Sequence, residues 1–548
     1  MAAFNQLRRN HLIDKKRHNS SSPDSGSGRG HPDGNFYTRD PLRSHEYEDE
    51  QLIVPSHTTE RRLMTKIDLR LIPCLSILYF FAFLDRTNIA NAIIFGLRED
   101  LGIAPGSTQY NTALTIFFVP YILFEIPSNI ILKKLKPHVW LSICMFGFGL
   151  VTTCQGLVQN YSGLLATRFF LGLTETGMFP GWFDLSSPPA KTGRERASMQ
   201  SDETETWMLT LVAGCFYLIG MWYKRAEAQK RYSFFFSSTS LAGAFGGLLA
   251  SAIGNMDGLR GYRGWRWIFI LEGLLTCVTA IFFWFLLPDF PEDAKWLKED
   301  ERAYVKARLE VDQGKSGLDR AITFKDVVNV FKDYKIIVGG FMYFGLIVPA
   351  YGYAYFAPSI IRTYGYSPIQ TQLHSVPPWA AAFGFSMLVA WASDRMRHRF
   401  LFTLVPIAIG IAGFAILLTG SRNLDLRYAA LFLVTSGVYS AMPVIVCWFN
   451  LNIGGHHRRS VGSAWQIGFG NIGGIIATFA FLQRDAPLYR PGYAICIGFI
   501  CLSAASCTVY FISVWVQNKQ RARSIDMGLT DYERTELGDT AVTYGYQL

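Results

Sequence analysis

Residues 161–178 read YSGLLATRFFLGLTETGM. The stretch is apolar enough to lie in lipid, yet it holds Arg168 and Glu175. Seven residues make about two helical turns, so both charges share one face of a helix. A charge at the centre of a bilayer helix costs about 3 kcal/mol or more. Such side chains therefore turn towards a bundle interior or a water-filled passage, where they meet partners. A second apolar stretch, residues 75–94, LSILYFFAFLDRTNIANAII, offers Asp85 and Arg86. Two acids and two arginines held within a membrane point to an organic-anion site coupled to protons.

The wider composition agrees with a membrane chain. Half of the 548 residues are hydrophobic and 17% are charged, against about 25% charged in average soluble domains. The net charge of +10 does not indicate nucleic acid, because Lys and Arg collect in short loops between apolar runs. The cysteines, among them Cys74, Cys144, Cys277 and Cys501, lie almost all within apolar runs. They show no CxxC or His-paired zinc spacing and read as free structural thiols. With no Ser/His/Asp, metal or nucleotide motif, we expect neither an enzyme nor a bound cofactor, and the proton as coupling ion. The polar first 60 residues contain no hydrophobic signal-peptide core, so a cytosolic, Ser/Gly/Pro-rich disordered tail is expected rather than a cleaved leader. The sequon at Asn19 would then stay unglycosylated.

Run length gives twelve spans, near 69–94, 110–132, 139–158, 161–181, 233–254, 266–287, 336–360, 369–392, 400–420, 427–449, 460–482 and 492–516. The expected layout is a tail (1–65), six spans (66–287), a cytosolic linker (288–334), six more spans (335–517) and a second cytosolic tail (518–548). This is an all-α membrane fold of two six-helix bundles. Basic loops containing Lys133, Lys134 and Lys136, Lys224 and Arg225, Arg395 and Arg397, and Arg458 and Arg459 place both termini in the cytosol. The sequon at Asn160 would face outside, close to the membrane.

The two halves repeat each other. Arg231-x-Ser233 precedes Phe245-Gly246-Gly247-Leu248-Leu249-Ala250, and Arg458-x-Ser460 precedes Ile472-Gly473-Gly474-Ile475-Ile476-Ala477, every pair 227 apart. An ancient duplication has this signature, and paired glycines let helices approach closely. One stretch breaks the pattern. Residues 182–214, with Pro188-Pro189 and a run of charges, do not suit lipid. From Pro443 to Arg458 is 15 residues, and from the matching Pro180 to Arg231 is 51; removing the 33 residues 182–214 leaves 18. Gly181 would then join Cys215 in a continuous helix. A retained intron or mispredicted exon is expected, with a genuine cytosolic insertion as the alternative.

Several blocks in order, LIPCLSILYFFAFLDRTNIANA (71–92), QYNTALTIFFVPYILFEIPSNIILKKLKP (109–137), GLLATRFFLGLTETGMFPG (163–181), FFFSSTSLAGAFGGLLA (234–250) and GWRWIFILEGLL (264–275), resemble fungal members of the major facilitator superfamily. More narrowly they are similar to the anion:cation symporter family of allantoate, nicotinate, pantothenate and biotin permeases, and within it to fungal nicotinic acid permeases. The resemblance runs from about Lys66 to Gln517, excluding 182–214. It implies a twelve-helix rocker-switch fold with a central cavity. It further implies that Asp85 and Glu175 carry protons, that Arg86 anchors the substrate, and that Arg168 joins the substrate site while pairing with Asp85 or tuning it. The superfamily's Gly-x3-Asp-Arg loop is replaced after the second span by SNIILKKLKPH (128–138). Its counterpart survives as Ala390-x3-Asp394-Arg395-x-Arg397, a cytosolic charge latch with Asp394 and Arg395 as gating residues.

A planar, permanently charged guanidinium is the natural clamp for a carboxylate. Tyr343, Tyr351, Tyr353 and Trp379 are candidate cavity aromatics, set against plain packing. An Asp85–Arg168 structural pair, a backbone role for Glu175 near Pro180, and structural roles for Glu125, Glu272 and His374 are the competing readings. The expected function is proton-coupled uptake of a small organic anion by a plasma-membrane monomer. An efflux antiporter, a non-transporting sensor and an inactive misspliced product are the alternatives.

Overall fold

A computed structural model describes residues 57–124, 136–176, 215, 218, 219, 221–313, 324–396, 398–453, 456–522, 546 and 547. Among the described residues, helices fall at all twelve expected runs. They are α1 (Glu60–Ile94), α2 (Gln109–Leu123), α3 (Pro137–Gln155), α4 (Tyr161–Glu175), α5 (Arg225–Ile253), α6 (Gly264–Leu286), α7 (Tyr334–Arg362), α8 (Pro368–Met396), α9 (Arg399–Thr419), α10 (Leu424–Leu451), α11 (His456–Ala480) and α12 (Arg490–Ala522). Among the described residues, nine helices are long and apolar enough to cross a bilayer, and no strand occurs. The expected ends of the second and fourth spans, the loop motif after the second, Glu125, and the stretch 182–214 lie outside the described residues.

Local chemistry sets the helix ends. Asn160 caps α4 by accepting the Gly163 N–H at 2.7 Å, and Asn423 caps α10 by accepting from Asp425 and Leu426 at 3.0 and 3.2 Å. Gly420, at φ 65°, stops α9 in the left-handed conformation. Prolines inside α7, α8 and α10 are tolerated because neighbouring helices supply packing and polar partners.

The packing repeats with a period of six helices. The pairs α1–α5, α1–α6, α2–α4, α3–α4 and α3–α6 recur as α7–α11, α7–α12, α8–α10, α9–α10 and α9–α12. Between the halves, α5 packs on α8 as α11 packs on α2, and α1 meets α7 on the pseudo-two-fold. The paired glycines sit at these contacts. A Cβ on Gly246 would meet Leu84 of α1 at 2.9 Å, and one on Gly473 would meet Val348 of α7 at 3.1 Å. A Cβ on Gly247 would meet Ser375 of α8 at 2.6 Å, and one on Gly474 would meet Phe118 of α2 at 2.3 Å. The basic residue before each pair repeats too. Arg231 grips Asp68 of α1 with two bonds of 2.9 and 2.8 Å, and Arg458 grips Asp333, the N-cap of α7, at 2.7 Å.

At 35 residues, α1 is about 50 Å long, well beyond the ~30 Å hydrocarbon core. Its first turns meet the linker helix Glu299–Gln313: Lys66 pairs with Glu301 at 2.8 Å, and Arg308 pairs with Glu60 at 2.8 Å and with Glu227. Burial opposes the Glu301 charge, but the Lys66 hydrogen bond, the Lys298 N–H and the Lys66 and His57 charges outweigh it and hold this carboxyl below its usual range. The second linker helix, Phe324–Phe331, ends with Phe331 edge-on to Trp465 of α11, centroids 5.1 Å apart. At this linker end the chain also returns near its C-terminus, where Gln547 and the Asn452 amide exchange bonds of 2.8 and 2.9 Å.

Candidate functional site

The charged residues of α1 and α4 face inward and are buried: Asp85 and Glu175 at 0%, Arg168 at 1% and Arg86 at 4% exposure. Gly172, one turn before Glu175, lets α4 lie against α2; a Cβ there would stand 2.1 Å from the Phe117 carbonyl oxygen. That close approach carries Glu175 to Arg86. One Arg86 terminal nitrogen donates to a Glu175 oxygen, forming a buried ion pair, and the other donates to the Tyr351 hydroxyl of α7. The guanidinium lies 4.8 Å from the Phe117 ring centroid, 4.9 Å from Tyr121 and 5.7 Å from Tyr351. Aromatic faces stabilise a cation when water is excluded. Arg86 is thus a planar fork walled by rings, with one carboxylate as counter-charge.

The expected Asp85–Arg168 pair does not form. Arg168 donates instead to the backbone carbonyl of Arg86 at 3.1 Å, pinning α4 to α1, while its Nε and second terminal nitrogen have no hydrogen-bond partner among the described residues. Asp85 turns towards α3 and α6, with the Thr152 and Thr276 hydroxyls and Glu272 as neighbours and Glu175 also within electrostatic reach. Neither Asp85 oxygen meets full hydrogen-bond geometry. The physical reason is helical: adjacent residues diverge by about 100°, so Asp85 and Arg86 cannot both face α4. Glu272, fully within α6, accepts from the Asn88 amide. It therefore joins the polar cluster around Asp85 rather than standing alone.

The four candidate aromatics are all buried. Tyr351 touches Arg86 directly. Trp379 stacks edge-on with Tyr353 and Tyr439 at 5.4 and 4.7 Å, and Phe83, one turn before Arg86, closes the group at 6.2 Å from Trp379. Tyr343 packs against Gly470 of α11. His374 stacks on Tyr366 at 4.0 Å at the far end of α8, away from the charges. At the linker end, Asp394 pairs not with Arg395, which is exposed, but with Arg399 at 2.9 Å; Arg399 also donates to Ser393 at 2.8 Å. The i,i+5 partner lies across the turn into α9, and the sequence reading missed it.

Among the described residues, the two halves are bonded to one another towards the end opposite the linker by Thr115 with Thr478 at 2.6 Å, Gly106 with Gln483 at 3.2 Å, and Gln372 with the Asn91 carbonyl at 3.5 Å. Nearer the linker end, Ser237 and Ser386 are 3.3 Å apart. A cleft of about 390 Å³ opens between the halves at the far end, lined by residues of both, and not around Arg86. Phe117 and Tyr121, spaced i,i+4 on α2, were not singled out from sequence. Their shared helical face was the signal that could have found them.

A family model described as the Major Facilitator Superfamily matches residues 75–199 and 207–478. That match passes through most of 182–214 and leaves out 200–206. The chain is 34% identical to the MFS transporter prlL of Fungal sp. (strain NRRL 50135), over 84% of this chain and 88% of that protein. It is 28% identical to the high-affinity nicotinic acid transporter of Saccharomyces cerevisiae, over 87% of this chain and 82% of that protein. Among solved structures, a bacterial homolog of the human lysosomal transporter Spinster, inward-facing and unoccupied, has a TM-score of 0.57 at 14% identity, covering 81% of this chain and 96% of that one. The proton:xylose symporter XylE bound to 6-bromo-6-deoxy-D-glucose has a TM-score of 0.56 at 11% identity, covering 80% and 95%. At these identities the structural likeness concerns the fold.

Proposed function

Because the chain belongs to the major facilitator superfamily, a family of multi-pass transporters and not of enzymes, we propose that it imports a small organic anion, a monocarboxylate such as nicotinate, together with protons. The observation that carries this reading is the buried Arg86 held between Glu175 and Tyr351. A proton on Glu175 removes the charge that occupies Arg86. The guanidinium then turns its fork to a substrate carboxylate, a better match than any neutral group. Phe117, Tyr121 and the Trp379–Tyr439–Phe83 group suit a flat ring behind that carboxylate. When Glu175 gives up its proton it reclaims Arg86, and the anion is displaced. Proton and anion are thereby linked through one guanidinium.

In this reading Arg168 completes the site, holding the α1 backbone beside Arg86 while its unpartnered nitrogens supply a second positive pole. Asp85 is a second proton carrier, set back behind α1. Asp394 with Arg399 forms the cytosolic latch, and the exposed Arg395 contributes charge at the membrane surface. The protein works as a monomer in the plasma membrane with its linker end in the cytosol. The nicotinic acid transporter among the relatives supports the choice of ligand.

Uptake of radiolabelled nicotinate, allantoate and pantothenate into a transport-deficient yeast tests this. Uphill accumulation of one of them under an inward proton gradient is the expected result. Glu175→Gln should abolish accumulation and retain exchange across preloaded membranes. Uphill uptake undiminished in Glu175→Gln sinks the mechanism, and proton-driven loss of label from preloaded cells points to efflux instead.

A further inference from the structure

The far-end cleft is lined by three arginines, Arg98, Arg263 and Arg362, against one acid, Glu99. Arg263 is already beside Asp100, Nε to Oδ1 3.7 Å. Arg98 and Arg362 differ from it. Arg98 lies over the Tyr110 ring at 5.1 Å and has no carboxylate partner among the described residues; its Nε is buried without any hydrogen-bond partner. Arg362, from the other half, donates to the Tyr366 carbonyl and likewise meets no carboxylate. Two like charges therefore face one space from opposite halves, with Glu99 the one acid lining it, so the excess positive charge there favours an anion between the halves.

An aromatic column joins this cleft to the buried site. Phe356 lines the cleft and meets Tyr110 edge-on at 6.0 Å. The Tyr110 hydroxyl donates to the Tyr355 carbonyl at 3.5 Å, Tyr355 stacks on Tyr351 at 5.6 Å, and Tyr351 bonds Arg86. Helix α7 supplies Arg362, Phe356, Tyr355 and Tyr351, so one helix runs from cleft to guanidinium.

From this geometry we infer that the cleft is an anion-capture subsite, which takes a small carboxylate between Arg98 and Arg362 before it reaches Arg86. The inference rests on the proposed uptake of an organic anion from the far side. Its test is local. Ser359 lines the cleft, and Ser359→Cys in the full chain, in intact yeast, reports the field there through its reaction with anionic sulfonatoethyl and cationic trimethylammonioethyl methanethiosulfonate, after subtraction of the parent cysteines. Arg98→Gln with Arg362→Gln should lower the anionic-to-cationic rate ratio about tenfold, in the range that focused fields produce. High NaCl should lower it in the arginine form alone, and millimolar nicotinate should slow the anionic reagent. A ratio that moves less than about twofold with both charge removal and salt overturns the subsite. If the double variant fails to reach the membrane, Arg98→Gln and the salt series on Ser359→Cys decide by the same criterion. Nicotinate uptake in the same cells separates the two ideas: a responsive ratio without uptake removes the transport reading and leaves the anion site, whereas uptake with a flat ratio does the reverse.

Discussion

The two six-helix halves share a scaffold and bury opposite chemistry. Counted from Asp68 and Asp333, the aspartates gripped by Arg231 and Arg458, Arg86 and Tyr351 each lie 18 residues further on. These counterparts meet on the pseudo-two-fold and bond to each other. Counted back from Pro180 and Pro443, Arg168 and Glu175 correspond to Leu431 and Val438, both aliphatic and buried. The first half therefore holds the ion pair, and the second presents hydroxyls and rings to it. Desolvating one set of charges is costly, and a second set facing it would add both repulsion and a second penalty. An uncharged face of the second half can still sense the ion pair, because a phenol bonds a guanidinium whether or not a carboxylate shares it.

The asymmetry between the halves depends most on Arg86. Arg86→Ala leaves Glu175 buried without its counter-charge, a loss of about 3–5 kcal/mol for pairs of this kind, and should lower the thermal stability of the detergent-purified protein as well as abolish transport. Arg86→Lys keeps the charge but not the fork that reaches Glu175 and Tyr351 together. It should cost transport about 100-fold in kcat/KM while the protein remains folded; near-normal uptake by the lysine form would show that the fork is not the substrate clamp. The converse substitution, Val438→Glu, gives the second half the acid it lacks, with Leu431 where Arg168 would be. It should destabilise by about 2–4 kcal/mol, read as an earlier thermal transition, and an unchanged transition would mean that the second half tolerates charge equally.

Tyr351→Phe is a milder cut. It removes the one described hydrogen bond by which the second half touches Arg86, so a loss of about 1–1.5 kcal/mol, roughly tenfold in apparent affinity, is expected. A rise in KM with kcat held within twofold would place the hydroxyl in binding, whereas a fall in kcat would place it in the movement of the halves.

The scaffold was legible in the sequence because span length and the Arg-x-Ser with Gly-Gly repeat are local signals. The described part of each of the twelve helices lies at its expected run, and the glycines predicted to allow close approach sit at equivalent contacts in both halves. The site was half legible. Arg168 and Glu175 at a spacing of seven, and Asp85 and Arg86 in apolar surroundings, announce themselves as buried charges. Their partners do not, because pairing depends on which side of α1 each residue takes. Adjacency hid the fact that Asp85 turns to Glu272, Thr152 and Thr276 while Arg86 turns to Glu175. Long-range partners such as Tyr351, and a latch partner beyond the turn such as Arg399, follow only from the packing.

The halves are also fastened differently at the linker end, and this yields the smallest expected effect. Ion pairs hold the first linker helix to the first half, Lys66 to Glu301 among them; ring packing of Phe331 on Trp465 holds the second helix to the second half. The Glu301 carboxyl sits below its usual range in the folded protein. A group with a lowered folded value contributes stability above its unfolded value, near pH 4.3, and loses it as the pH falls through the lowered folded value. Glu301→Gln should therefore reduce thermal stability at pH 7 by only about 0.5–1 kcal/mol, since Lys66 is 41% exposed and the pair is screened. The gap between parent and variant should narrow in acid and in high salt. Phe331→Ala should instead lower stability by an amount that acid leaves unchanged and salt does not diminish, because ring burial carries no charge to titrate or screen. Two substitutions with the same pH profile would remove the distinction between an ionic fastening on one half and an apolar one on the other.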